Sequence, residues 1–409
     1  MHILIVHQAF AALDEPGGTR HHELARHLVT HGHTVTVIAS ALTYLTGSAV
    51  SGRVPWKQEQ DGGEGITILR AYTYNALHKS FFHRLLSFFS FMFSSFLIGL
   101  GVKNVDVVWG TSPPIFQGLT AWMLARLKGA RFLFEIRDLW PEFAVAVGVL
   151  TNPVLIGMSE RLERFLYRRA DQLVVNSPGF IDHLSARGGT DIALIPNGAE
   201  ASMFSPEDVG ADLRLAHGLA GKFVVLYAGA HGMSNHLEIV LQAAARLADQ
   251  PEIRIVLLGD GKEKANLIVQ AEAMRLENLL FLPPLPKAEM RRALAIGDAC
   301  LAILKPVEMY KTVYPNKVFD YMAAGRATIL AIDGVIREVI EAGEAGVFVP
   351  PGDPDALAEE IRSLASQPEY VKQMGLNARR YLEAHFNRPR VAADLDKLLR
   401  SLISNDQRR

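Results

Sequence analysis

The chain has 409 residues, 49% of them hydrophobic and 21% charged, a composition typical of two or three folded domains rather than a disordered or fibrous protein. The formal net charge is -1, so no overall basic excess indicates a nucleic-acid binder. The single cysteine, Cys300, excludes an internal disulfide, and a strand-like run follows Met1 without a basic leader, which predicts a cytoplasmic protein.

The charge is distributed unevenly along the chain. Residues 65–170 contain twelve lysines and arginines against six aspartates and glutamates, so this stretch is basic and the remainder is acidic. Such an asymmetry is typical of a protein that contacts an anionic surface or ligand. Solvated faces of ordinary helices account for the same excess equally well, and the sequence leaves both explanations open.

Short apolar runs alternate with helical patterns in the first half of the chain. The run 3–6, a glycine-containing loop at 15–19, a helical pattern over 20–30 and a second run over 34–39 predict a β-α-β unit. Further strand-like runs lie at 65–70, 105–109, 131–136, 172–176 and 192–195. The alternation predicts a parallel, doubly wound sheet whose ligands bind beyond the carboxyl ends of the strands.

The same alternation restarts after Pro196-Asn197-Gly198. The second set of strand-like runs lies at 223–227, 253–258, 279–282, 299–303, 327–331 and 346–349. The predicted fold class is therefore α/β, with two Rossmann-like domains facing each other across a cleft. We expect domains at 1–200 and 201–375, followed by a helical segment at 376–409 that crosses back to the first domain.

Residues 81–101 depart from the pattern of a soluble domain, because Arg84 is their only charged residue. This stretch of 21 residues is long enough to cross a bilayer, but a spanning helix would separate neighbouring strands of one sheet. Burial against that sheet is one alternative. The other is an interfacial helix in the Phe81–Leu100 region, with Lys79, Arg84 and Lys103 at anionic headgroups. Its narrow polar stripe consists of Ser80, His83, Ser87, Ser90 and Ser94.

Glycine-containing loops follow several of the predicted strands. The pair Gly17-Gly18 allows backbone amides to approach a phosphate without obstruction by a Cβ atom. It lacks the spacing of a nicotinamide-dinucleotide site, and no acidic residue ends the second strand. In the second half, Gly229, followed by His231 and Asn235, and the loop at Gly259 would present amide donors at one sheet edge. Tight turns without a ligand are the alternative.

The segment 314–326 carries the most informative pattern. A loop containing Tyr314 leads into a helix at about Asn316, whose free amides together with Lys317 suit a pyrophosphate. Asp320, one turn further along, suits the hydroxyl groups of a ribose. A Lys-Asp pair on a solvated helix face is the alternative. No Asp-x-Asp or clustered His/Cys spacing indicates a metal site.

Taken together and in this order, these segments resemble those of the retaining glycosyltransferases of family 4, which have the two-domain GT-B fold. The resemblance extends over nearly the whole chain. It rests on Gly17-Gly18 and on residues 135–142, 195–198, 227–229, 258–261 and 314–325. The blocks at 139–142 and 314–317 are most similar to those of transferases for N-acetylated amino sugars in O-antigen or capsule pathways.

The resemblance implies roles for residues of the first domain. The catalytic histidine of the family falls on Arg137, and Asp138 follows it. Since arginine does not act as a base, Asp138 is expected to handle protons, with Glu135 in reserve. The candidate catalytic residues are Glu135, Arg137, Asp138 and Lys317.

In the second domain, Asp320 matches the second of the two glutamates in the family motif. The first glutamate falls on Thr312, and Glu308 lies nearby but out of register. Positive charge for the diphosphate is expected from Lys317 and Lys305, because the family's basic pair is replaced in its loop. The candidate substrate-binding residues are Gly17, Gly18, Gly229, His231, Asn235, Gly259, Leu285, Lys305, Tyr314, Asn316, Lys317 and Asp320.

The implied function is transfer of a sugar, expected to be an N-acetylated amino sugar, from a UDP-sugar to a lipid-linked acceptor in surface polysaccharide synthesis, with retention. The resemblance implies no cofactor besides this donor, no nucleic-acid partner, and a peripheral position on the inner face of a bacterial cytoplasmic membrane. Two alternatives remain: a nucleotide-sugar 2-epimerase, and a sugar-nucleotide-binding subunit without turnover.

Overall fold

The computed structural model describes residues 1–15, 17–43, 47, 49–50, 52, 54–75 and 81–404. It divides the chain into two compact units. The first unit comprises Met1–Pro196 and the C-terminal segment that begins at Pro389, and the second unit comprises Asn197–Arg388.

The first unit is built on an eight-stranded sheet within the described residues, in the order β3-β4-β2-β1-β5-β6-β7-β8. Its strands are β1 (His2–Val6), β2 (Thr34–Ser40), β3 (Lys57–Asp61), β4 (Ile66–Ala71), β5 (Val107–Ser112), β6 (Arg131–Ile136), β7 (Gln172–Val175) and β8 (Ile192–Leu194). Its helices up to β8 are α1 (Arg20–Thr30), α2 (Phe81–Leu100), α3 (Phe116–Lys128), α4 (Glu142–Ala146), α5 (Pro153–Arg169) and α6 (Ile181–Ala186). The described pairs are parallel, except that β3 runs antiparallel to β4. The sequence did not predict β3, because its residues are polar and mostly exposed at the sheet edge.

The second unit contains a six-stranded parallel sheet in the order β11-β10-β9-β12-β13-β14. Its strands are β9 (Phe223–Ala228), β10 (Ile253–Leu258), β11 (Leu279–Leu282), β12 (Ala299–Ile303), β13 (Ala327–Ala331) and β14 (Gly346–Phe348). Its helices are α7 (Ala211–Ala216), α8 (Glu238–Arg246), α9 (Lys264–Ala273), α10 (Met290–Ala295), α11 (Asn316–Ala323), α12 (Val335–Ala342), α13 (Pro354–Ala365) and α14 (Pro368–His385). The predicted class, two α/β domains with parallel sheets, is confirmed.

The C-terminal helix α15 (Arg388–Ser404) belongs almost wholly to the first unit, as the sequence predicts. Its apolar side chains Val391, Leu395 and Leu399 lie in the core under β1 and β2. His33 and the Asp396 carboxylate form a hydrogen bond of 2.5 Å between Nε2 and Oδ1. The helix therefore shares a core with the N-terminal strands, although more than 180 residues separate it from the rest of that unit.

The observed unit boundaries differ from the predicted ones. The sequence placed them at 200/201 and 375/376, whereas the structure places them at 196/197 and 388/389. The larger difference arises because α14 continues the second unit: Ala378 and Leu382 lie fully buried in its core. The helical pattern from Tyr370 onwards therefore contains two helices, of which the second crosses back.

Helix α2 buries several serines and exposes several of its large apolar side chains, although Phe91 is fully buried. Ser87, Ser94 and Ser95 are fully buried, and the Ser94 hydroxyl donates a 2.6 Å hydrogen bond to the backbone carbonyl of Tyr72. The helix packs on β2, β4 and α3. Its most exposed apolar side chains are Phe82, Leu86, Phe89, Phe93, Leu97 and Leu100. This helix is long and apolar enough to cross a membrane, but it packs on the sheet as a domain helix does.

Candidate functional site

Glu135 lies at the end of β6 and is fully buried. It accepts hydrogen bonds from Arg20 Nη2 at 2.9 Å, from Trp109 Nε1 at 3.1 Å and from His21 Nε2 at 2.6 Å. Burial alone would raise the pKa of this carboxyl, but the charges of His21, Arg20 and Arg137 outweigh it and hold the pKa well below its usual range. Burial lowers the pKa of His21 to about 4. Glu135 is therefore an ionised anchor whose oxygens are occupied by protein donors.

The anchor also fixes the end of the first unit. The Arg20 guanidinium, besides binding Glu135, donates to the carbonyl oxygens of Ile195 and Pro196 at 2.7 Å. One buried ion pair thus ties α1 and β6 to the segment that follows β8. Sequence reasoning missed Arg20, because its partner lies 115 positions away along the chain.

A cavity of about 210 Å³ opens in the first unit, and Arg137, two residues after Glu135, forms part of its wall. Its walls bring together Gly17, Gly18 and Arg137 of the predicted site, with Glu15, Thr43 and Phe88. Gly17 has φ +152°, and a Cβ atom there would lie 2.9 Å from Cβ of Ala11, so the wall leaves no room for a side chain. The loop after β1 and the loop after β6 therefore meet in one concave surface.

Asp138 follows Arg137 in the loop after β6 and is half-buried. Burial raises its pKa to about 7, against the opposing effects of the Arg137 guanidinium and a backbone hydrogen bond from Leu139. A carboxyl with a pKa near 7 can both accept and release a proton at neutral pH. Proton handling by Asp138, which the family resemblance implies, stays a prediction.

In the second unit, the two glycine loops after β9 and β10 lie against each other. A Cβ atom on Gly259 would lie 1.9 Å from the carbonyl oxygen of Gly229, and one on Gly261 would lie 2.4 Å from that of His231. The amide of His231 donates a 2.8 Å hydrogen bond to the carbonyl of Asp260. Only glycine permits this approach of two backbones, which brings these predicted residues together at one sheet edge.

Lys317, in the first turn of α11, points into the same place. Its ammonium group donates to the Tyr227 hydroxyl at 2.7 Å and to Asn235 Oδ1 at 3.3 Å, and lies 3.9 Å from the centroid of the Tyr227 ring. A Cβ atom on Gly229 would lie 3.0 Å from Nζ of this lysine. Burial lowers the pKa of Lys317 to about 7. Tyr227 is a site residue that sequence reasoning did not single out, although it stands in the Tyr-Ala-Gly segment.

His231 is fully buried, and neither ring nitrogen has a hydrogen-bond partner among the described residues. Burial, assisted by the charges of Lys264 and Lys317, lowers its pKa to about 4, so the ring is neutral at pH 7. Its Nε2 would be 3.4 Å from a Cβ atom on Gly259. A neutral imidazole in this position offers one donor and one acceptor to a ligand rather than a charge.

Asp320 lies one turn beyond Lys317 on α11, and its carboxylate pairs with Lys287 Nζ at 2.5 Å. Both side chains are largely buried. Sequence reasoning missed Lys287, since it lies 33 positions before its partner and carries no local signal. Glu308, by contrast, is 83% exposed and pairs with Lys311. The hydroxyl of Thr312 donates to the carbonyl of Met309 at 2.7 Å.

The remaining predicted residues surround these groups. The backbone amide of Lys305 donates to the carbonyl of Ser234 at 2.9 Å, which joins it to the loop of Asn235. The carbonyl of Tyr314 accepts a 2.5 Å hydrogen bond from Asn197 Nδ2. Leu285 packs against the apolar core, and Asn316 is exposed at the start of α11. No group of three or more His, Cys, Asp or Glu side chains in the described part of the chain is arranged to hold a metal ion.

Two family models match this chain, and together they cover most of it. The model described as glycosyl transferase 4-like domain matches residues 17–198, and the model described as glycosyl transferases group 1 matches residues 213–381. WcaI of Escherichia coli K12, named for colanic acid biosynthesis, is 25% identical over 90% of this chain and 92% of its own length. WbjE of Pseudomonas aeruginosa, named as a probable glycosyltransferase, is 27% identical over 70% of this chain and 74% of its own.

Solved structures show the same fold over the whole chain. Sucrose-phosphate synthase of Thermosynechococcus elongatus has a TM-score of 0.76 at 18% identity, covering 99% of this chain and 100% of that one. HepE of Anabaena, in complex with UDP-glucose, has a TM-score of 0.72 at 16% identity, covering 98% and 100%. WaaG, a glycosyltransferase involved in lipopolysaccharide biosynthesis, has a TM-score of 0.66 at 15% identity, covering 97% and 99%. With two parallel-sheet α/β units, glycine loops at their strand ends and both family models in the expected order, the chain belongs to the family 4 glycosyltransferases of GT-B fold.

Proposed function

We propose that this chain transfers a sugar from a UDP-sugar to a lipid-linked acceptor during the synthesis of a surface polysaccharide, with retention at the anomeric carbon. The observation that carries the proposal lies in the second unit, where Lys317 lies beside the glycine loop at 229 and the loop at 259–261 packs against that loop. Backbone amides, a helix N-terminus and one ammonium group are the donors that a diphosphate requires.

The donor site that we propose uses each of these groups for one part of the nucleotide. Lys317 and the free amides at the start of α11 face the diphosphate, because opposite charge and the helix dipole both favour it there. A bound diphosphate would favour the charged form of Lys317 and so raise its pKa from about 7. The Asp320 carboxylate has enough lone pairs to accept both ribose hydroxyls while it keeps Lys287 as a partner.

The names of three relatives support a UDP-sugar as the donor and a surface polysaccharide as the product. The HepE structure contains UDP-glucose, WaaG is described as involved in lipopolysaccharide biosynthesis, and WcaI is named for colanic acid biosynthesis. The blocks at 139–142 and 314–317 resemble those of transferases for N-acetylated amino sugars, so we propose such a sugar as the group transferred.

The reaction breaks the bond between the anomeric carbon and the diphosphate oxygen and forms one to the acceptor oxygen. Negative charge grows on the leaving diphosphate, where Lys317 and the backbone amides stabilise it. The departing oxygen accepts a hydrogen bond from the acceptor hydroxyl on the same face, which directs the attack there and gives retention, and the hydroxyl proton passes to the ionised carboxylate of Asp138. Asp138, whose pKa is about 7, is the side chain that we assign to proton handling in the first unit.

We further propose that α2 holds the enzyme on the inner face of the cytoplasmic membrane. Its exposed apolar side chains, Phe82 and Phe93 foremost, recur at helical spacing, and the exposed Arg84 and Lys103 supply positive charge beside them. Such a helix is suited to lie in the headgroup region of an anionic bilayer. Lys79, also predicted to contact headgroups, lies outside the described residues.

The test is a transfer assay with the purified full chain, labelled UDP-N-acetylhexosamines and a bacterial membrane extract. We expect label in the lipid phase and, by NMR of the released glycan, the same anomeric configuration as in the donor. Lys317→Gln should abolish transfer, whereas Lys311→Gln, an exposed lysine of the same unit, should leave it unchanged.

The alternatives predict different products in this assay. An epimerised, soluble nucleotide sugar would identify a 2-epimerase and contradict the proposal. Binding of the donor without any conversion would identify a subunit that lacks turnover. Transfer with inversion would leave a glycosyltransferase but overturn the proposed stereochemistry.

A further inference from the structure

Lys264 is the first residue of α9, at the end of the helix where the macrodipole disfavours a positive charge. Two carbonyl groups at strand ends offset that cost. The ammonium group of Lys264 donates to the carbonyl oxygen of Gly259, just after β10, at 2.7 Å and to that of Leu282, at the end of β11, at 3.0 Å. Its third N–H bond has no partner among the described residues. Lys264 thus holds the glycine loop after β10 and keeps one donor unused.

The hydrogen bond to Gly259 sets the direction of the next backbone amide. In a trans peptide the carbonyl oxygen of Gly259 and the N–H of Asp260 point in opposite directions, so Lys264 turns that N–H away from itself. Asp260 is exposed, and its amide has no hydrogen-bond partner within the described part of the chain. Its carbonyl and carboxylate oxygens accept 2.8 Å hydrogen bonds from the amides of His231 and Gly261. The loop is therefore fixed, with one backbone donor left for an anion.

His231 lies beside this loop and has two unused ring nitrogens. Its side chain is fully buried, neither nitrogen has a partner among the described residues, and Nε2 would lie 3.4 Å from a Cβ atom on Gly259. Buried polar atoms are nearly always hydrogen-bonded, so this ring indicates a missing partner. Burial, followed by the charges of Lys264 and Lys317, lowers its pKa to about 4, so both ammonium groups lie close to the ring. Two cations, a neutral imidazole and an unused amide therefore converge where they would stabilise a multiply charged anion.

We propose that Lys264 is a positioning residue of the donor site, which fixes the Gly259 peptide so that the amide of Asp260 donates to the diphosphate of the nucleotide sugar. Its charge adds to that of Lys317. This inference rests on the proposed function, because it names a further group of the same site. The family resemblance assigns the positive charge to Lys317 and Lys305 and does not single out Lys264. A donor that is fixed before the ligand arrives loses little conformational freedom on binding, which favours affinity.

The test compares the binding of UDP and of uridine, which lacks the diphosphate, to the full chain by titration calorimetry, with uridine measured as a competitor of UDP. Lys264→Met keeps the length of the side chain but removes its charge and its N–H donors. We expect this variant to lose at least fivefold in affinity for UDP and less than twofold for uridine. Lys264→Arg, which keeps the charge, should recover part of the loss. Lys262→Met, which changes an exposed lysine two positions earlier, should bind both ligands as the wild type does.

A purely structural role of Lys264 gives a different result. If the lysine only stabilises the strand ends, Lys264→Met lowers the Tm but leaves the ratio of UDP affinity to uridine affinity unchanged, and the inference is overturned. Should Lys264→Met not fold, Lys264→Gln, which keeps an N–H donor without the charge, decides by the same ratio. We expect that ratio to fall at least threefold, and an unchanged ratio would contradict the inference.

Failure of this inference is distinguishable from failure of the proposed function, with Lys317→Gln as the reference variant. If Lys317→Gln weakens UDP binding and Lys264→Met does not, the proposed donor site stands and only the role of Lys264 is wrong. If the wild type binds UDP no more tightly than uridine, the second unit holds no diphosphate and both proposals are wrong.

Discussion

At the scale of single residues, Asp138 carries the carboxyl group whose acidity best fits catalysis. Its pKa is raised from 3.8 to about 7 by burial. We expect kcat/KM to rise with pH through an apparent pKa near 7, because the ionised carboxylate is the form that accepts a proton. Asp138→Asn should lower turnover about a hundredfold or more and remove that limb of the profile while UDP binding is unchanged. A variant that keeps both the rate and the pH limb would exclude Asp138 from proton handling.

The same pKa shift predicts a change in stability with pH. A carboxyl whose pKa is higher in the folded state binds its proton more tightly there, so the folded state is favoured at low pH. The contribution is present below about pH 4 and is lost as the pH rises through about 7. The Tm difference between Asp138→Asn and wild type should therefore shift in favour of the variant between pH 5 and 8. A constant difference would show that the group titrates normally.

The ion pair of Lys287 and Asp320 is expected to bind the ribose of the donor. If the carboxylate binds the ribose, Asp320→Ala should weaken UDP at least tenfold, in line with about 1.5–3 kcal/mol for a hydrogen bond to a charged group. The same variant should bind 2′,3′-dideoxy-UDP as well as it binds UDP, since the discriminating oxygen atoms are gone. We expect Lys287→Ala to weaken UDP as well, because Lys287 positions the carboxylate.

A double-mutant cycle checks this positioning role by calorimetry. Lys287→Ala should add little to Asp320→Ala when both are combined, since the two side chains act as one unit. Additive losses would mean that Lys287 contacts the nucleotide independently. A preference for UDP over its dideoxy analogue that survives Asp320→Ala would remove the carboxylate from the ribose site.

At the scale of the elements, α2 differs from an ordinary domain helix because it buries serines and exposes large apolar side chains. The buried Ser94 hydroxyl donates to a backbone carbonyl inside the fold, while Phe82 and Phe93 are 66% and 59% exposed. Replacing both by serine should reduce binding to anionic vesicles at least tenfold, since burying a phenylalanine contributes about 1.5–3 kcal/mol. Added salt should weaken wild-type binding through Arg84 and Lys103.

Vesicle sedimentation measures this binding, and a matched variant controls for the loss of apolar surface. Leu215→Ser with Val269→Ser removes two equally exposed side chains of the second unit and should leave sedimentation unchanged. Equal losses in both double variants would point to nonspecific adsorption. Full binding by the Phe82→Ser, Phe93→Ser protein would contradict the interfacial role of α2.

At the scale of the whole molecule, regular patterns in the sequence predicted the framework, and long-range contacts escaped prediction. The alternating strands, the glycine loops and the crossing of α15 to the first unit all follow from local periodicity and turn residues. The polar edge strand β3 was missed, because exposed strands show no apolar alternation. The inward orientation of the serines on α2 was likewise not visible, since composition does not reveal which face of a helix packs.

In the candidate site, too, residues within local sequence patterns were predicted, whereas residues defined by long-range contacts were not. Lys317, Gly229 and Gly259 were predicted from the loops that carry them, and the structure brings them together. Arg20 and Lys287 were not, because each is recognisable only through a carboxylate far along the chain. Sequence segments therefore indicate which loops bind a ligand, whereas the partners that fix the charges of those loops emerge only from the fold.

Titration calorimetry with UDP measures whether the second unit holds a nucleoside diphosphate through Lys317, as we propose. The wild type should bind UDP with uptake of protons near pH 7.5, since the bound diphosphate raises the pKa of Lys317 from about 7. Lys317→Gln should lose at least tenfold in affinity together with the proton uptake, whereas Lys311→Gln should change neither. UDP binding of equal strength in all three proteins, without linked protonation, would show that Lys317 does not hold the diphosphate.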